Sequence, residues 1–168
     1  MDCLLAASTV VAALGSGLIA GVFFAFAAFV LAALSRLPAP AGITAMQTMI
    51  AAIKSPLFLL VFFGTAALAA LLGIAATLRW SEPGALSLLI GSLLYLNGPF
   101  GVTLLKNLPL NNHLAAVTPG SIDSAIVWKE FRDSWGLWNH VRWIAALGAA
   151  AAFIWALVEG GTLLPIRE

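Results

Sequence analysis

The chain has little charge, one cysteine, one tyrosine and two histidines; Asp, Glu, Lys and Arg make up only 9% of its 168 residues. A lone Cys3 excludes an internal disulfide and a cluster of thiolate metal ligands. So few charges exclude a disordered chain and a soluble enzyme with a charged shell. Eight Lys+Arg against seven Asp+Glu leave a net charge of +1, so there is no basic face and no nucleic-acid partner is expected. What the chain does have is apolar surface: 62% hydrophobic residues and a mean hydropathy of +1.04. A soluble domain is about 45–50% apolar. A core this small cannot bury the excess, so the remainder faces lipid. The expectation is one domain over residues 1–168, an integral membrane protein with the bilayer as its first partner.

A helix rises about 1.5 Å per residue and the hydrocarbon core is about 30 Å thick, so about 20 apolar residues cross it. Charge-poor runs at 4–34, 56–78, 84–105 and 139–158 meet that requirement. The first has no Lys or Arg ahead of it and is too long for a signal-peptide core, so it reads as a retained span. Ser55 followed by Pro56 is an N-cap with proline at the first helical position. The predicted fold is all-α, a four-helix bundle with both termini on one side. In the first connection Met46, Met49, Ile50 and Ile53 recur at helical spacing, predicting a short amphipathic interfacial helix over Gly42 to Lys54. In the third, Ser121 is the expected cap of a longer helix striped by Trp128, Phe131, Trp135 and Trp138 and running into the last span. Gly17 and Gly21, extended by Ala25 and Ala28, predict close helix packing.

Arg36, Lys54, Lys106, Lys129, Arg132 and Arg142 flank the first and third connections, against Arg79 and Arg167 on the other side. By the positive-inside rule, connections 35–55 and 106–138 are expected in the cytoplasm, with the chain in a plasma or inner membrane.

The few polar residues are unevenly placed. Asn97 precedes Gly98-Pro99 inside the third span and calls for a partner within the bundle, as an interhelical hydrogen bond or as a pocket wall. Asn107 and Asn111 share a face if the helix survives Pro109, and are turn residues if it does not. Trp143 to Val158 gives about 24 Å of helix, short of the core, so Asn139, His140 and Arg142 fall in the first turn of the fourth span. Trp135, Asn139 and Arg142 lie at i, i+4 and i+7, one face of that helix. The two polar clusters therefore meet at one leaflet, with the amphipathic connection on the same side. A half-buried arginine among amides can hold an oxyanion, phenolate or carbonyl, or it can simply snorkel. His140 or His113 can move a proton near neutral pH. The tryptophans can stack on a ligand or form an interfacial belt. The two histidines with Asp133 or Glu130 contain the donors of a two-His-one-carboxylate set but lack ligand spacing, so no metal site is expected.

Two elements resemble a known family. Phe100-Gly-Val-Thr103-Leu-Leu-Lys-Asn107-Leu-Pro109-Leu-Asn111-Asn112, and Trp135-Gly-Leu-Trp138-Asn139-His140-Val-Arg142 after Trp128, are similar to the DUF1772, or anthrone oxygenase-like, family of small four-span membrane proteins. The Gly/Phe-rich first span and the Ser-Pro-x-Phe start of the second extend the resemblance; Trp143 stands where a small residue is expected. The resemblance implies oxidation of an apolar aromatic, anthrone-like substrate by O₂ without an organic cofactor. That chemistry needs a base, a cation or amides for the enolate oxygen and a flat apolar cavity; the expected assignments are His140 as base, Arg142 and Asn139 at the oxyanion, Asn107 and Asn111 orienting the substrate, and Trp135 and Trp138 stacking on its rings. The competing expectation is a non-enzymatic binding, transport or accessory membrane protein.

Overall fold

The computed structural model describes residues 1–161; Arg167 and Glu168 lie outside them. It contains α1 (Cys3–Ser35), α2 (Ala39–Ala52), α3 (Pro56–Leu78), α4 (Ala85–Ala115) and α5 (Ser124–Glu159), with no strand among the described residues. α1, α3, α4 and α5 are each long and apolar enough to cross a membrane. The protein is an all-helical integral membrane bundle.

Helix starts follow local chemistry. Asp2 caps α1 by accepting from the Leu5 amide at 2.9 Å. That bond, with the Arg79 guanidinium at 2.7 Å, holds the Asp2 carboxyl below the usual carboxylate range. Ser55 caps α3 through the Phe58 amide, with Pro56 in the first turn. α2 begins at Ala39, ahead of the expected Gly42, because Pro40 falls where its missing N–H costs nothing. α5 begins after Asp123, and Ser121 sits in the preceding turn rather than at the cap.

The Asp2–Arg79 pair joins the start of α1 to the end of α3. At the same end Ser87 Oγ donates to Glu159 at 2.6 Å, tying the start of α4 to the end of α5. Gly84, at φ 87°, begins α4 so close to α5 that a Cβ there would lie 2.7 Å from the Ala156 carbonyl oxygen. The spans therefore run antiparallel. Their shared core contains Ile19, Phe23, Phe62, Leu72, Tyr95 and Phe153. A second cluster at the opposite end gathers Leu34, Ile43, Met46, Leu114, Trp128, Phe131 and Trp135, and there α2 docks on α5.

Two spans are not regular α-helices. α1 widens to π register over Phe26–Val30, and α4 over Leu96–Asn107. The second widening surrounds Pro99, which cannot donate to the ladder and would crowd the carbonyl of Tyr95 in an α-turn. The helix passes through Pro99 and Pro109 without ending, so Asn107 and Asn111 are helical residues of a span longer than 84–105.

The close helix contacts fall elsewhere than expected. Gly17 and Gly21 face an open groove between α1 and α5, with nothing within 4 Å of a Cβ at either. The inward face of α1 is Ala12, Ser16, Ile19 and Phe23, about 150° around the helix axis from Gly17 and Gly21. Tight approach occurs instead at Gly15 against Thr65, Gly98 against Ala145, and Gly91, where a Cβ would lie 2.7 Å from the Phe153 ring. Gly91→Ala is expected to cost about 1–3 kcal/mol by overpacking, whereas Gly17→Ala should change stability by less than about 0.5 kcal/mol. Denaturant titration of both variants in detergent checks the contrast; equal losses would contradict the packing described.

Candidate functional site

Arg142 enters from α5 and is 4% exposed. Its Nη2 donates to Asn139 Oδ1 at 2.9 Å and its Nη1 to Thr103 Oγ1 at 3.2 Å. The guanidinium lies 4.0 Å from the Phe23 ring centroid and 5.0 Å from that of Trp135. Its Nε is buried without a partner, and no carboxylate pairs with it among the described residues.

Each neighbour of Arg142 is itself held. Asn139 is 1% exposed and donates to the Phe23 carbonyl at 2.8 Å, one turn before the π segment of α1. Thr103 donates to the Pro99 carbonyl at 2.5 Å within the π segment of α4. Trp135 donates its indole N–H to Asn111 Oδ1 at 2.9 Å. An indole is only a donor, so Asn111 must present its oxygen there, and its amide N–H groups are left for the cavity it lines.

The cavity beside Arg142 has a volume of about 330 Å³, within the range of about 300–1,000 Å³ typical of small-molecule sites. Phe23, Phe26, Phe58, Phe62 and Phe63 supply aromatic wall, and Arg142, Thr103, Asn111 and Trp135 stand together on one side. Met46, Met49 and Ile50 of α2, with Ile53 just after its end, form a roof. Gln47 Nε2 secures that roof by donating to the Leu114 and Val117 carbonyls, each at 2.9 Å. Gly42 allows the roof to sit on Trp128, whose ring would be 3.0 Å from a Cβ there. Leu59, Phe63, Leu104 and Leu108 line the cavity while also being exposed on the outer face, so it opens sideways between α3 and α4. Lys54 stands among the lining residues at the end of the roof.

The sequence-selected residues divide. Arg142, Trp135 and Asn111 line the cavity, and Asn139 stands behind Arg142 and orients it. Asn107 is fully buried behind the wall; its amide N–H reaches the Trp135 carbonyl at 3.4 Å and its oxygen has no partner. His140 does not share the cavity. It is exposed in a separate groove with Arg132, Asp133 and Ser35, because one helical step from Asn139 turns it about 100° away. Trp138 lies under Lys106 at 5.1 Å, outside the cavity. Asn97 finds no partner across the bundle; it is exposed and donates to its own helix at the Leu93 carbonyl, 2.8 Å. His113 is exposed near the end of α4, and among the described residues no three of His, Cys, Asp and Glu gather as a metal site. Trp143 packs on Phe24 and His140, so the departure there from the family pattern is outside the cavity lining.

Sequence reasoning missed Thr103, the phenylalanine wall and the π segment of α1. Thr103 was signalled only by its spacing of four from Pro99, and Phe58 and Phe62 by their own spacing of four. Nothing in Phe26–Val30 marks a register change.

The family model described as anthrone oxygenase matches residues 58–152, more than half of the chain. No curated protein and no solved structure matches it. The matched stretch contains Phe58, Phe62, Thr103, Asn111, Trp135, Asn139 and Arg142, but not the Phe23 and Met46 sides of the cavity.

Asn139→Leu removes both the acceptor on Arg142 and the tie to Phe23. The buried guanidinium then loses a charge-assisted bond, and the expected loss is about 2–4 kcal/mol. Gln47→Ala unhooks the roof and should cost about 1–2 kcal/mol. Its amide exchange should rise over Ala39–Ala52 while the spanning helices keep their protection. Uniform deprotection across the bundle in Gln47→Ala would count against a separately anchored roof.

Proposed function

The chain belongs to the anthrone oxygenase family, and on that premise we propose that it oxidises an apolar, anthrone-like aromatic with O₂ in the cavity beside Arg142. The observation that supports this is a fixed cation at one side of an aromatic-walled cavity open to the lipid side. An anthrone is poorly soluble in water and flat. Phe23, Phe58, Phe62 and Trp135 offer ring faces and edges to it. Its carbonyl oxygen would meet Arg142 and the free amide of Asn111.

The chemistry asks little of the protein. Loss of the C–H proton opposite the carbonyl, taken up by water at the membrane interface, gives an enolate whose negative charge rests on the carbonyl oxygen. The enolate passes an electron to O₂, a C–O bond forms at the same carbon, and the protonated product is a hydroperoxide. Loss of water from it leaves the second carbonyl, so anthrone plus O₂ gives anthraquinone plus water. The cation lowers the energy of the enolate where the charge develops, in a site that excludes water. Asn139 and Thr103 position Arg142, and the π turns position them. O₂ is small and apolar and reaches the cavity from the same side as the substrate.

Orientation belongs to the same reading. Arg36, Lys54, Lys106, Lys129 and Arg132 stand at the cavity end, and Arg79 at the other. Positive-inside placement puts the cavity end, with connections 35–55 and 106–138, in the cytoplasmic leaflet of a plasma or inner membrane.

The test is turnover of an anthrone to its anthraquinone under O₂ by the protein in lipid discs, followed by product absorbance. Arg142→Gln is expected to lower kcat by about 10²–10³, and His140→Ala to leave it within about twofold. Binding of the anthrone without product would reverse the reading in favour of a carrier or accessory protein. Loss of turnover in a folded His140→Ala variant would return the base to His140.

A further inference from the structure

The Arg142 guanidinium is 4% exposed, with an unpaired buried Nε and no carboxylate partner among the described residues. A buried charge of this kind costs several kcal/mol unless it is compensated. Two hydrogen bonds and two ring faces offset part of that cost. Neutral amide, hydroxyl and ring partners do not cancel a charge. The acids that the structure shows engaged lie elsewhere: Asp2 and Glu82 with Arg79, Asp133 with Lys129, and Glu159 with Ser87.

The cavity is equally poor in proton acceptors. Among the described residues its ionisable lining is Arg142 and Lys54, and none of them brings a carboxylate, imidazole, thiol or phenol to it. His140 faces the other groove, and Tyr95 is turned to the Phe62 carbonyl. A neutral acid entering this space would find no side chain to take its proton, whereas an anion would find a cation already desolvated and aimed.

We propose that the cavity takes its ligand as the anion, a phenolate, enolate or carboxylate on a fused aromatic system, and that the ligand supplies the countercharge Arg142 lacks. This rests on the reading of the cavity as the working site, and it narrows the substrate class to acidic aromatics that have already lost their proton to interfacial water beside the roof, where the exposed Lys54 stands, before they reach Arg142. The protein contributes charge and shape, and the ligand's own acidity replaces a catalytic base.

Two fluorescent probes of nearly equal shape separate the possibilities: anthracene-9-carboxylate and 9-methylanthracene. Each is titrated into the full chain in lipid discs at neutral pH and corrected for partition into protein-free discs. The expected result is that wild type binds the carboxylate at least tenfold more tightly than the methyl compound, and that bound carboxylate raises the thermal midpoint. Arg142→Gln should equalise the two probes, and Arg142→Lys should keep part of the preference. Should Arg142→Gln not fold, the wild-type comparison and Arg142→Lys still decide. Equal binding of both probes by wild type overturns the anion proposal and leaves the aromatic-site reading standing. Binding of neither overturns both. A carboxylate preference kept in folded Arg142→Gln but lost in Lys54→Gln overturns the assignment to Arg142.

Discussion

The structure turns on one constraint: a guanidinium with no carboxylate partner among the described residues is held almost fully buried. Its stabilisation draws on three spans at once. Phe23 from α1 and Trp135 from α5 cover its faces, Asn139 from α5 takes one nitrogen, and Thr103 from α4 takes another. A partner missing from any of these helices would leave more of the desolvation cost uncompensated. The mutual register of α1, α4 and α5 at this end is therefore tied to the needs of one side chain. The rest of the bundle is held by apolar contacts, which carry no comparable directional demand.

The two π segments make sense in that light. Asn139 reaches the Phe23 carbonyl just before the α1 ladder widens, and Thr103 binds the Pro99 carbonyl inside the widened stretch of α4. A regular α-helix engages nearly every carbonyl with its own amides, so side chains from a neighbour compete poorly for them. Widened turns relax that competition and shift the following residues around the axis. Pro99 makes the α4 segment locally understandable. For Phe26–Val30 the compensating contacts come from α5, a tertiary effect that no local pattern encodes.

Much of the architecture was legible because lipid imposes it. Every backbone polar group in the hydrocarbon must be satisfied within its own helix, so length and hydropathy suffice to find the spans. The meeting of polar groups at one leaflet followed from the same counting, and so did the face shared by Trp135, Asn139 and Arg142. That periodicity also argues against His140: a residue one step from Asn139 cannot share a narrow face with it. The base assignment was driven by chemistry, and helical geometry places His140 in a different groove from the cavity. Asn97 failed for a different reason. An amide in a span needs a partner, but the carbonyl of Leu93 four residues back serves as well as one across the bundle. The small-residue stripe of Gly17 and Gly21 failed because spacing identifies a smooth face without saying what, if anything, approaches it.

Placing the cation beside an apolar cavity rather than in water also determines how selective it can be. In water, a guanidinium distinguishes anion from neutral ligand weakly, because solvent screens the charge. In a cavity walled by Phe23, Phe58, Phe62 and Phe63, the same charge acts through little screening medium. On the proposed reading, shape and charge would select different things: the rings would admit any flat apolar molecule, and the guanidinium would rank those molecules by the negative charge they can place beside it. A carboxylate fixed next to Arg142 would stabilise the empty protein but would cancel that second selection. The unpaired state is thus costly for folding and, on the proposed reading, useful for recognition, which is the balance expected where stability has been given up for function.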